Sequence, residues 1–238
     1  MGKNVALVLG SGGARGLAHI GAIEALEARG YTITSIAGCS MGSIIAGMYA
    51  AGELKKAKDW FLQVDKQLIL RMMDINLFSG NSLVKGQKII LELQKVVPDR
   101  PIEQLNIPCT IVASDMMNTE EVLFRTGSLF EAVRASISIP LFFQPVQIGH
   151  RLLIDGGILN PLPLHSVERT EGDILVAMDI SGKDSMPTGE MPEPIDVDGK
   201  IAAIEAKGFD VPEGLEKQLH QLGKKVDEVR TKRAADLG

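Results

Sequence analysis

Residues 38–42, Gly-Cys-Ser-Met-Gly, carry the pattern G-x-S-x-G, with Ser40 between Gly38 and Gly42. Residues 34–38, TSIAG, predict a short strand before the serine, and residues 42–51 predict a helix after it. In that setting a sharp strand-to-helix turn exposes the serine hydroxyl, and the positive N-terminus of the helix favours an alkoxide or oxyanion. Ser40 is therefore a candidate nucleophile. The alternative is a plain turn in which Ser40 only caps the helix.

A serine nucleophile needs a base, and histidine is the first residue type to consider. The chain has four histidines, and none has a convincing setting: His19, His150, His165 and His220. We expect His19 to be packed or capping within the first helix. His165 is the only one that follows a strand end, where the histidine of a triad could lie.

The acidic candidates are better placed, because three aspartates each end a predicted strand. Asp155 follows an apolar run and precedes Gly156 and Gly157, so that backbone can approach it closely. A half-buried carboxylate there would have a raised pKa and could accept a serine proton directly. Asp115 and Asp179 are its competitors. For an aspartate at a strand end, a cap or turn is the more usual role.

Residues 10–16, GSGGARG, form a glycine-rich loop between a predicted strand at residues 5–9 and a helix that begins near Leu17. The consecutive Gly12 and Gly13 could point successive N–H groups at one anion. A dinucleotide fingerprint fits poorly, since the third glycine falls one place late and no acid ends the second strand. We favour an oxyanion hole and keep nucleotide binding as the alternative. Arg15 could hold the loop, add positive potential, or lie in solvent.

The rest of the chain alternates between strand and helix patterns, which predicts a layered α/β fold with helices on both faces of a sheet. Residues 54–70, 84–97 and 129–136 have helical patterns. Residues 109–115 and 121–126 are β-rich and could pair, and residues 145–155 predict a hairpin that turns at Gly149 and His150. Residues 173–180 predict one more buried strand.

Three motifs in order, GSGGARG, GCSMG and DGG, resemble those of the bacterial patatin-like phospholipases. Residues 134–146, RASISIPLFFQPV, are similar to the segment that precedes the aspartate in that family. The resemblance covers roughly residues 5–180. It implies a three-layer α/β/α sandwich with a mostly parallel central sheet. It also implies a lipid acyl hydrolase of the phospholipase A or carboxylesterase type, which needs neither a metal nor a cofactor.

Carried over by motif, the resemblance implies a Ser–Asp dyad without histidine, with Ser40 as the nucleophile and Asp155 as the base. The oxyanion donors would be the backbone amides of Gly12, Gly13 and Ala14. The substrate would be a lipid or other fatty acyl ester. The motif positions that support these residues are Gly10, Arg15, Gly16, Gly38, Gly42, Gly156 and Gly157.

An acyl chain needs an apolar slot, and the candidates are Leu141, Phe142, Phe143 and the methionine-rich residues 68–78. An ordinary helix core is the alternative for the methionine-rich segment. A catalytically inactive membrane adaptor of the same fold is the second alternative function.

Composition limits the other classes of function. A net charge of −5 gives no reason to expect a nucleic-acid partner, and two cysteines are too few for a disulfide scaffold. The first residues do not resemble a signal peptide, and no stretch is long enough for a spanning helix. We therefore expect a cytoplasmic protein that could also associate with a membrane.

We divide the chain into a hydrolase domain at residues 1–181, a loop or linker at residues 182–200 and a helical tail at residues 201–238. The linker is rich in glycine, proline and acids. The tail has an amphipathic pattern, and we expect it to dock on the core. The alternative is a contact with a membrane surface or another subunit, and the oligomeric state is not predicted. The apolar positions of the tail are Leu215, Leu219, Leu222, Val226 and Val229.

Overall fold

The computed structural model describes residues 3–63, 87–140, 143–181 and 196–205, together with residues 216, 217, 220, 221, 223, 224, 227 and 228. The strands are β1 (Lys3–Leu9), β2 (Tyr31–Cys39), β3 (Cys109–Asp115), β4 (Glu120–Phe124), β5 (Val146–Ile148), β6 (Arg151–Asp155) and β7 (Ile174–Met178). The helices are α1 (Ala18–Ala28), α2 (Met41–Ala50), α3 (Leu54–Gln63), α4 (Gln87–Val96), α5 (Leu129–Ser136) and α6 (Val197–Glu205).

The strands form one seven-stranded sheet in the order β5-β6-β3-β2-β1-β7, with β4 also paired to β3. β7, β1, β2 and β3 run parallel, with α1 between β1 and β2 in the chain and α2, α3 and α4 between β2 and β3. β4 and β6 pair with β3 in the antiparallel direction, and β5 and β6 form a hairpin. The mixed α/β fold with a mostly parallel sheet flanked by helices agrees with the sequence prediction.

The main core lies on the face of the sheet where Val5, Leu7 and Leu9 of β1 point. These side chains are fully buried against apolar residues of α1, α2, α4 and α5. Alternate residues of β1, Ala6 and Val8, face the other side of the sheet and pack with Val167 and Leu162. The small side chains of this second face leave room for a chain segment to pass close to the sheet.

Two sequence predictions need correction. β7 was expected to be buried, but it lies at the edge of the sheet, and Ile174 and Leu175 are 41% and 37% exposed. A continuous apolar run predicts a strand, but the run itself does not show which strand becomes the edge of the sheet. The predicted linker at residues 182–200 also ends too late, because α6 begins at Val197. Its residue Ile201 is buried.

Several predictions fall on residues that the structure does not describe. They include the methionine-rich residues 68–78, the second half of the helix at residues 54–70, and the apolar positions of the tail. The described tail residues are helical and contact α6, with Nε2 of His220 3.1 Å from Oδ1 of Asp198. Docking of the tail on the core and the division into domains stay predictions. None of the helices in the described ranges has the length and apolar composition needed to cross a bilayer.

Gly42 lets the start of α2 lie directly against the end of β1. A Cβ atom built on Gly42 would lie 2.3 Å from the carbonyl oxygen of Leu9 and 2.6 Å from that of Gly10. Gly38 is equally confined, because its Cβ would lie 2.3 Å from the carbonyl oxygen of Gly42. Both contacts involve backbone, which cannot rotate away as a side chain can.

We predict that Gly42→Ala lowers the free energy of unfolding by about 3 kcal/mol or more, because the backbone must shift to relieve the overlap. Gly21→Ala is the matched control. Gly21 is exposed on α1 and a Cβ there meets no atom within 4 Å, so alanine should be neutral or stabilise by up to about 1 kcal/mol. Urea denaturation of both variants measures the difference. Equal stability of the two variants would contradict the packing described here.

Candidate active site

Ser40 lies between β2 and α2 with a backbone that L-residues rarely adopt, at φ 54° and ψ −124°. Such a conformation costs about 1–3 kcal/mol and persists only where the surrounding structure enforces it. The Ser40 side chain makes no capping hydrogen bond to α2. The alternative of an ordinary capping serine is therefore wrong, and the hydroxyl is left available for another partner.

Hydrogen bonds to the backbone of Ser40 hold this turn in place. The Ser40 N–H donates to Oγ of Ser136 at 2.9 Å, and the Ser136 hydroxyl donates to the carbonyl of Val112 at 2.6 Å. On the other side, the Ser40 carbonyl accepts from both the N–H and the hydroxyl of Ser43, at 2.8 and 2.6 Å. The backbone N–H and the backbone carbonyl of Ser40 thus both have hydrogen-bond partners within a buried site.

Asp155, the last residue of β6, is the partner of the Ser40 hydroxyl. Ser40 Oγ donates to Asp155 Oδ2 at 2.5 Å, and Asp155 Oδ1 accepts from the N–H of Gly157 at 2.7 Å. The Asp155 N–H donates to the carbonyl of Ser138 at 2.9 Å. Ser40 and Asp155 are only 5% and 4% exposed. The direct contact leaves no space for an imidazole between them.

The pairing across β3 explains why two residues so distant in sequence meet. Cys39 of β2 pairs with Val112, and Asp155 of β6 pairs with Ala113, the next residue of β3. Ser40 immediately follows Cys39. The register of three neighbouring strands therefore brings the serine and the aspartate to one edge of the sheet.

Burial raises the pKa of Asp155 to about 6, against the opposing effects of the hydrogen bonds from Ser40 and Gly157. A carboxylate with this pKa is a stronger base than an exposed one and is still ionised at neutral pH. Burial and the nearby Asp155 carboxylate raise the pKa of the Cys39 thiol, which is therefore neutral at neutral pH. Cys39 is thus a poor nucleophile despite its place beside Ser40.

The glycine-rich loop continues into a 3-10 helix at Gly13–Leu17 that lies against the serine turn. A Cβ on Gly16 would lie 2.2 Å from Cγ of Met41, and a Cβ on Gly157 would lie 3.0 Å from Oγ of Ser11. The loop is thus packed between the residue that follows Ser40 and the turn that follows Asp155. The first N–H groups of a 3-10 helix have no acceptor within it, and Gly12 provides no side-chain cap.

The competing aspartates take part in turns. Asp115 accepts hydrogen bonds from the N–H of Met117 and from the side chain of Asn118, at 2.9 and 2.8 Å. Asp179 is exposed and accepts from the N–H of Ser181 at 2.8 Å. Both carboxylates therefore hold local backbone, the usual role for an aspartate at a strand end.

None of the histidines hydrogen-bonds to Ser40 or Asp155 within the described part of the chain. His150 and His165 are exposed, and His220 contacts Asp198 in the tail. His19 is buried, as expected, and Nε2 of its ring lies 2.8 Å from the carbonyl oxygen of Gly10.

The structure describes some, but not all, of the remaining candidate residues. Arg15 is exposed, and its guanidinium makes no hydrogen bond with the residues that the structure describes. Phe143 is half-buried, whereas Leu141 and Phe142 lie outside the described residues. His, Cys, Asp and Glu side chains form no cluster suited to a metal ion across the described ranges.

Residues 7–167 match the family model for patatin-like phospholipases. The chain belongs to the patatin-like phospholipase family. The matched residues include the glycine-rich loop, Ser40 and Asp155, the hydrogen-bond partner of the Ser40 hydroxyl.

Two relatives and one solved structure are similar to parts of this chain. An uncharacterized NTE family protein of Mycobacterium tuberculosis is 43% identical over 77% of this chain and 51% of its own length. The human patatin-like phospholipase domain-containing protein 6 is 32% identical over 77% of this chain and 14% of its length. The chain thus spans about half the length, or less, of these curated relatives. The crystal structure of VipD from Legionella pneumophila aligns with a TM-score of 0.43 and 18% identity, over 73% of this chain and 48% of that one.

Ser136 and Ser138 support the candidate site of this patatin-like protein, and the sequence analysis did not identify them. Both belong to the end of α5 and the turn after it. Ser136 holds the N–H of Ser40, and the Ser138 carbonyl holds the N–H of Asp155. One segment therefore supports both candidate catalytic residues. The available signal was the placement of two serines within residues 134–146, a segment already similar to the family.

We predict that Asp155→Asn makes the protein more stable at neutral pH, by up to about 3 kcal/mol. The folded carboxyl has a pKa of about 6, above the value for an unfolded chain, so the folded state binds more protons between about pH 4 and 6. Stability of the wild type therefore falls as pH rises through this window. Asparagine is neutral throughout, and its amide can retain hydrogen bonds to Ser40 and Gly157.

Thermal unfolding at a series of pH values measures this effect. The Tm of Asp155→Asn should exceed that of the wild type at pH 7.5, and the difference should shrink as pH falls toward 4. A difference in Tm that does not vary with pH would show that burial of the charge has no role.

Proposed function

We propose that the protein is a serine acyl hydrolase that cleaves fatty acyl esters of lipids, including phospholipids, through Ser40 and Asp155. The observation that carries the proposal is the 2.5 Å hydrogen bond from the Ser40 hydroxyl to the buried carboxylate of Asp155. A nucleophile in direct contact with a base, at a strained turn between strand and helix, is an arrangement suited to acyl transfer.

In the first half-reaction, Ser40 Oγ attacks the ester carbonyl carbon while its proton passes to Asp155 Oδ2. The proton moves as the new O–C bond forms, because a free serine alkoxide is far more basic than a carboxylate. When the tetrahedral intermediate collapses, the ester C–O bond breaks and the leaving alcohol takes the proton from Asp155. The product of this step is an acyl group on Ser40.

In the second half-reaction, a water molecule replaces the alcohol. The water oxygen attacks the acyl carbon while Asp155 accepts one proton from the water. The bond to Ser40 Oγ then breaks, the serine recovers its proton from Asp155, and a fatty acid is released. The carboxyl group returns to its ionised form, so the cycle needs no further reactant.

Backbone amides of Gly12, Gly13 and Ala14 are the proposed donors to the oxyanion. The contacts of the loop with Met41 and with the turn after Asp155 support this role, as do the uncapped N–H groups at the start of the 3-10 helix. Donors of this kind, fixed before the reaction, stabilise the developing charge without reorganisation, each by about 3 kcal/mol.

The substrate class is inferred from the family and its relatives. The family model carries the name phospholipase, and so does the human relative. We include Phe143, half-buried in the segment after α5, in the proposed acyl pocket. Peripheral contact with a lipid surface follows from a lipid substrate, and no nucleic-acid partner or cofactor is proposed.

We predict that Ser40→Ala abolishes both hydrolysis of short-chain p-nitrophenyl esters and labelling by a fluorophosphonate probe. Asp155→Asn should lower turnover by about 1,000-fold or more, because it removes the proposed base. His165→Gln is the matched control, since His165 is exposed and should keep turnover within about threefold of the wild type. Labelling at another serine would contradict the proposal. An inactive but folded His165→Gln variant would require a triad instead.

We also predict that Gly13→Val lowers kcat by about 100-fold or more, with little change in the fold. Gly13 has φ 56°, which valine strongly disfavours, so the loop should shift its amides. Gly30→Val is the matched control, because Gly30 has φ 78° and, like Gly13, open space around a built Cβ, but lies after α1. Steady-state kinetics should show a lower kcat for Gly13→Val and an unchanged kcat for Gly30→Val. A rise in KM alone would indicate a loop that positions substrate.

A further inference from the structure

His19 is a fully buried residue of α1 whose ring makes one hydrogen bond in the described part of the chain. Nε2 lies 2.8 Å from the carbonyl oxygen of Gly10. A carbonyl oxygen only accepts hydrogen bonds, so Nε2 must carry the hydrogen. Nδ1 is then an unprotonated acceptor, and no described group donates to it. This pattern defines the tautomer of the ring.

A polar atom without a partner in the core needs an explanation, because an apolar side chain of similar size would avoid its cost. The neighbours Ile20 and Ile23 on the same helix belong to the apolar core. Burial lowers the pKa of His19 and keeps the ring neutral. Among the described residues, the favourable polar contact that histidine supplies at this position is its bond to Gly10.

That bond fixes one end of the peptide group between Gly10 and Ser11. The other end is also held, because the Ser11 N–H donates to the carbonyl of Pro161 at 2.8 Å. The Gly10 N–H donates in turn to the carbonyl of Met178 at 3.1 Å. The entrance to the glycine-rich loop is therefore anchored to three separate parts of the fold.

The next peptide group is held from one side. The Ser11 carbonyl accepts from the hydroxyl of Ser181 at 3.1 Å. In a trans peptide the C=O and N–H groups point in opposite directions, so the Gly12 N–H points away from Ser181. The direction of the Gly12 N–H thus depends on this contact and on the Gly10–Ser11 peptide plane that precedes it, which His19 holds.

The glycines that follow cannot set this direction themselves. Gly12 and Gly13 tolerate many backbone conformations, including the positive φ of 56° at Gly13. Such freedom permits the turn but does not fix one orientation of the amides. The anchored peptides that precede Gly12 must fix that orientation. Among the described residues, His19 is the only one whose side chain bonds to Gly10.

We propose that His19 is a positioning residue for acyl transfer, which in its Nε2–H form fixes the Gly10–Ser11 peptide and so orients the amides of Gly12 and Gly13 toward the oxyanion. The proposal rests on the proposed function. His19 neither gains nor loses a proton in the reaction, because the serine proton passes to Asp155. His19 acts on the geometry of the Gly12 and Gly13 amides and not on Asp155, the proposed base.

The test compares His19→Met, which fills the space without a donor, with His19→Gln, whose amide N–H can reach the same carbonyl. Ser35→Ala is the matched control, because Ser35 is also buried and its hydroxyl donates to a backbone carbonyl, that of Glu168. Each protein is assayed for ester turnover. Each is also assayed for inhibition by a trifluoromethyl ketone, which forms an oxyanion with serine, and by an ether analogue, which forms none.

We expect His19→Met to lower kcat by about 100-fold while KM changes by less than about threefold. Inhibition by the trifluoromethyl ketone should weaken by a similar factor, and inhibition by the ether should not change. His19→Gln should recover kcat to within about fivefold of the wild type. The kcat of Ser35→Ala should equal that of the wild type. This pattern separates positioning of the oxyanion donors from a general loss of packing.

A folded His19→Met variant with kcat within threefold of the wild type would overturn the proposal. So would a His19→Gln variant as impaired as His19→Met. Nitrogen-15 NMR of the wild-type histidines provides a test that needs no variant to be active, with the His19 signals assigned by their loss in His19→Gln. A neutral ring protonated at Nε2 is expected, and protonation at Nδ1 or a charged ring would refute the proposal. A wild type without hydrolysis or labelling at Ser40 would instead refute the proposed function.

Discussion

The hydrogen bond between the Ser40 hydroxyl and the Asp155 carboxylate is the interaction on which the rest of the site depends. The two residues are 115 positions apart in the chain, and neither could reach the other from a flexible loop with this precision. Ser40 instead follows Cys39 of β2, which pairs with Val112 of β3, and Asp155 ends β6 and pairs with the adjacent Ala113. The register of the sheet thus sets the distance between hydroxyl and carboxylate before any side chain rotates.

Holding this bond costs stability in two ways. Ser40 adopts a strained backbone, and Asp155 buries a group that is ionised at neutral pH. The compensation lies in the apolar core on the helical side of the sheet and in the serines of α5 and the following turn. In the proposed mechanism, strain and a raised pKa also favour the reaction, since they leave the hydroxyl without a capping bond to the helix and strengthen the base. Stability and chemistry therefore compete at the same two residues.

The sequence predicts the elements around the site well, because apolar runs and glycines are local signals. The strand before Ser40, the helix after it and the hairpin that ends at Asp155 all lie where the patterns place them. Exposure of β7 could not be predicted, since it depends on which strand becomes the edge of the sheet. The support from Ser136 could not be predicted either. Its partners, Ser40 and Val112, are 96 and 24 residues away, and only tertiary packing brings them together.

The proposed mechanism gives histidine no role as a base, and the geometry of the pair supports this. In a Ser–His–Asp triad the imidazole lies between hydroxyl and carboxylate and bonds to both. Here Oγ and Oδ2 are 2.5 Å apart, and the other carboxylate oxygen accepts the N–H of Gly157. An inserted imidazole would have to separate β2 from β6, which the shared pairing with β3 prevents. A buried histidine can then serve a different purpose nearby. The ring of His19, kept neutral by burial, can hold a peptide group of the loop without competing for the serine proton.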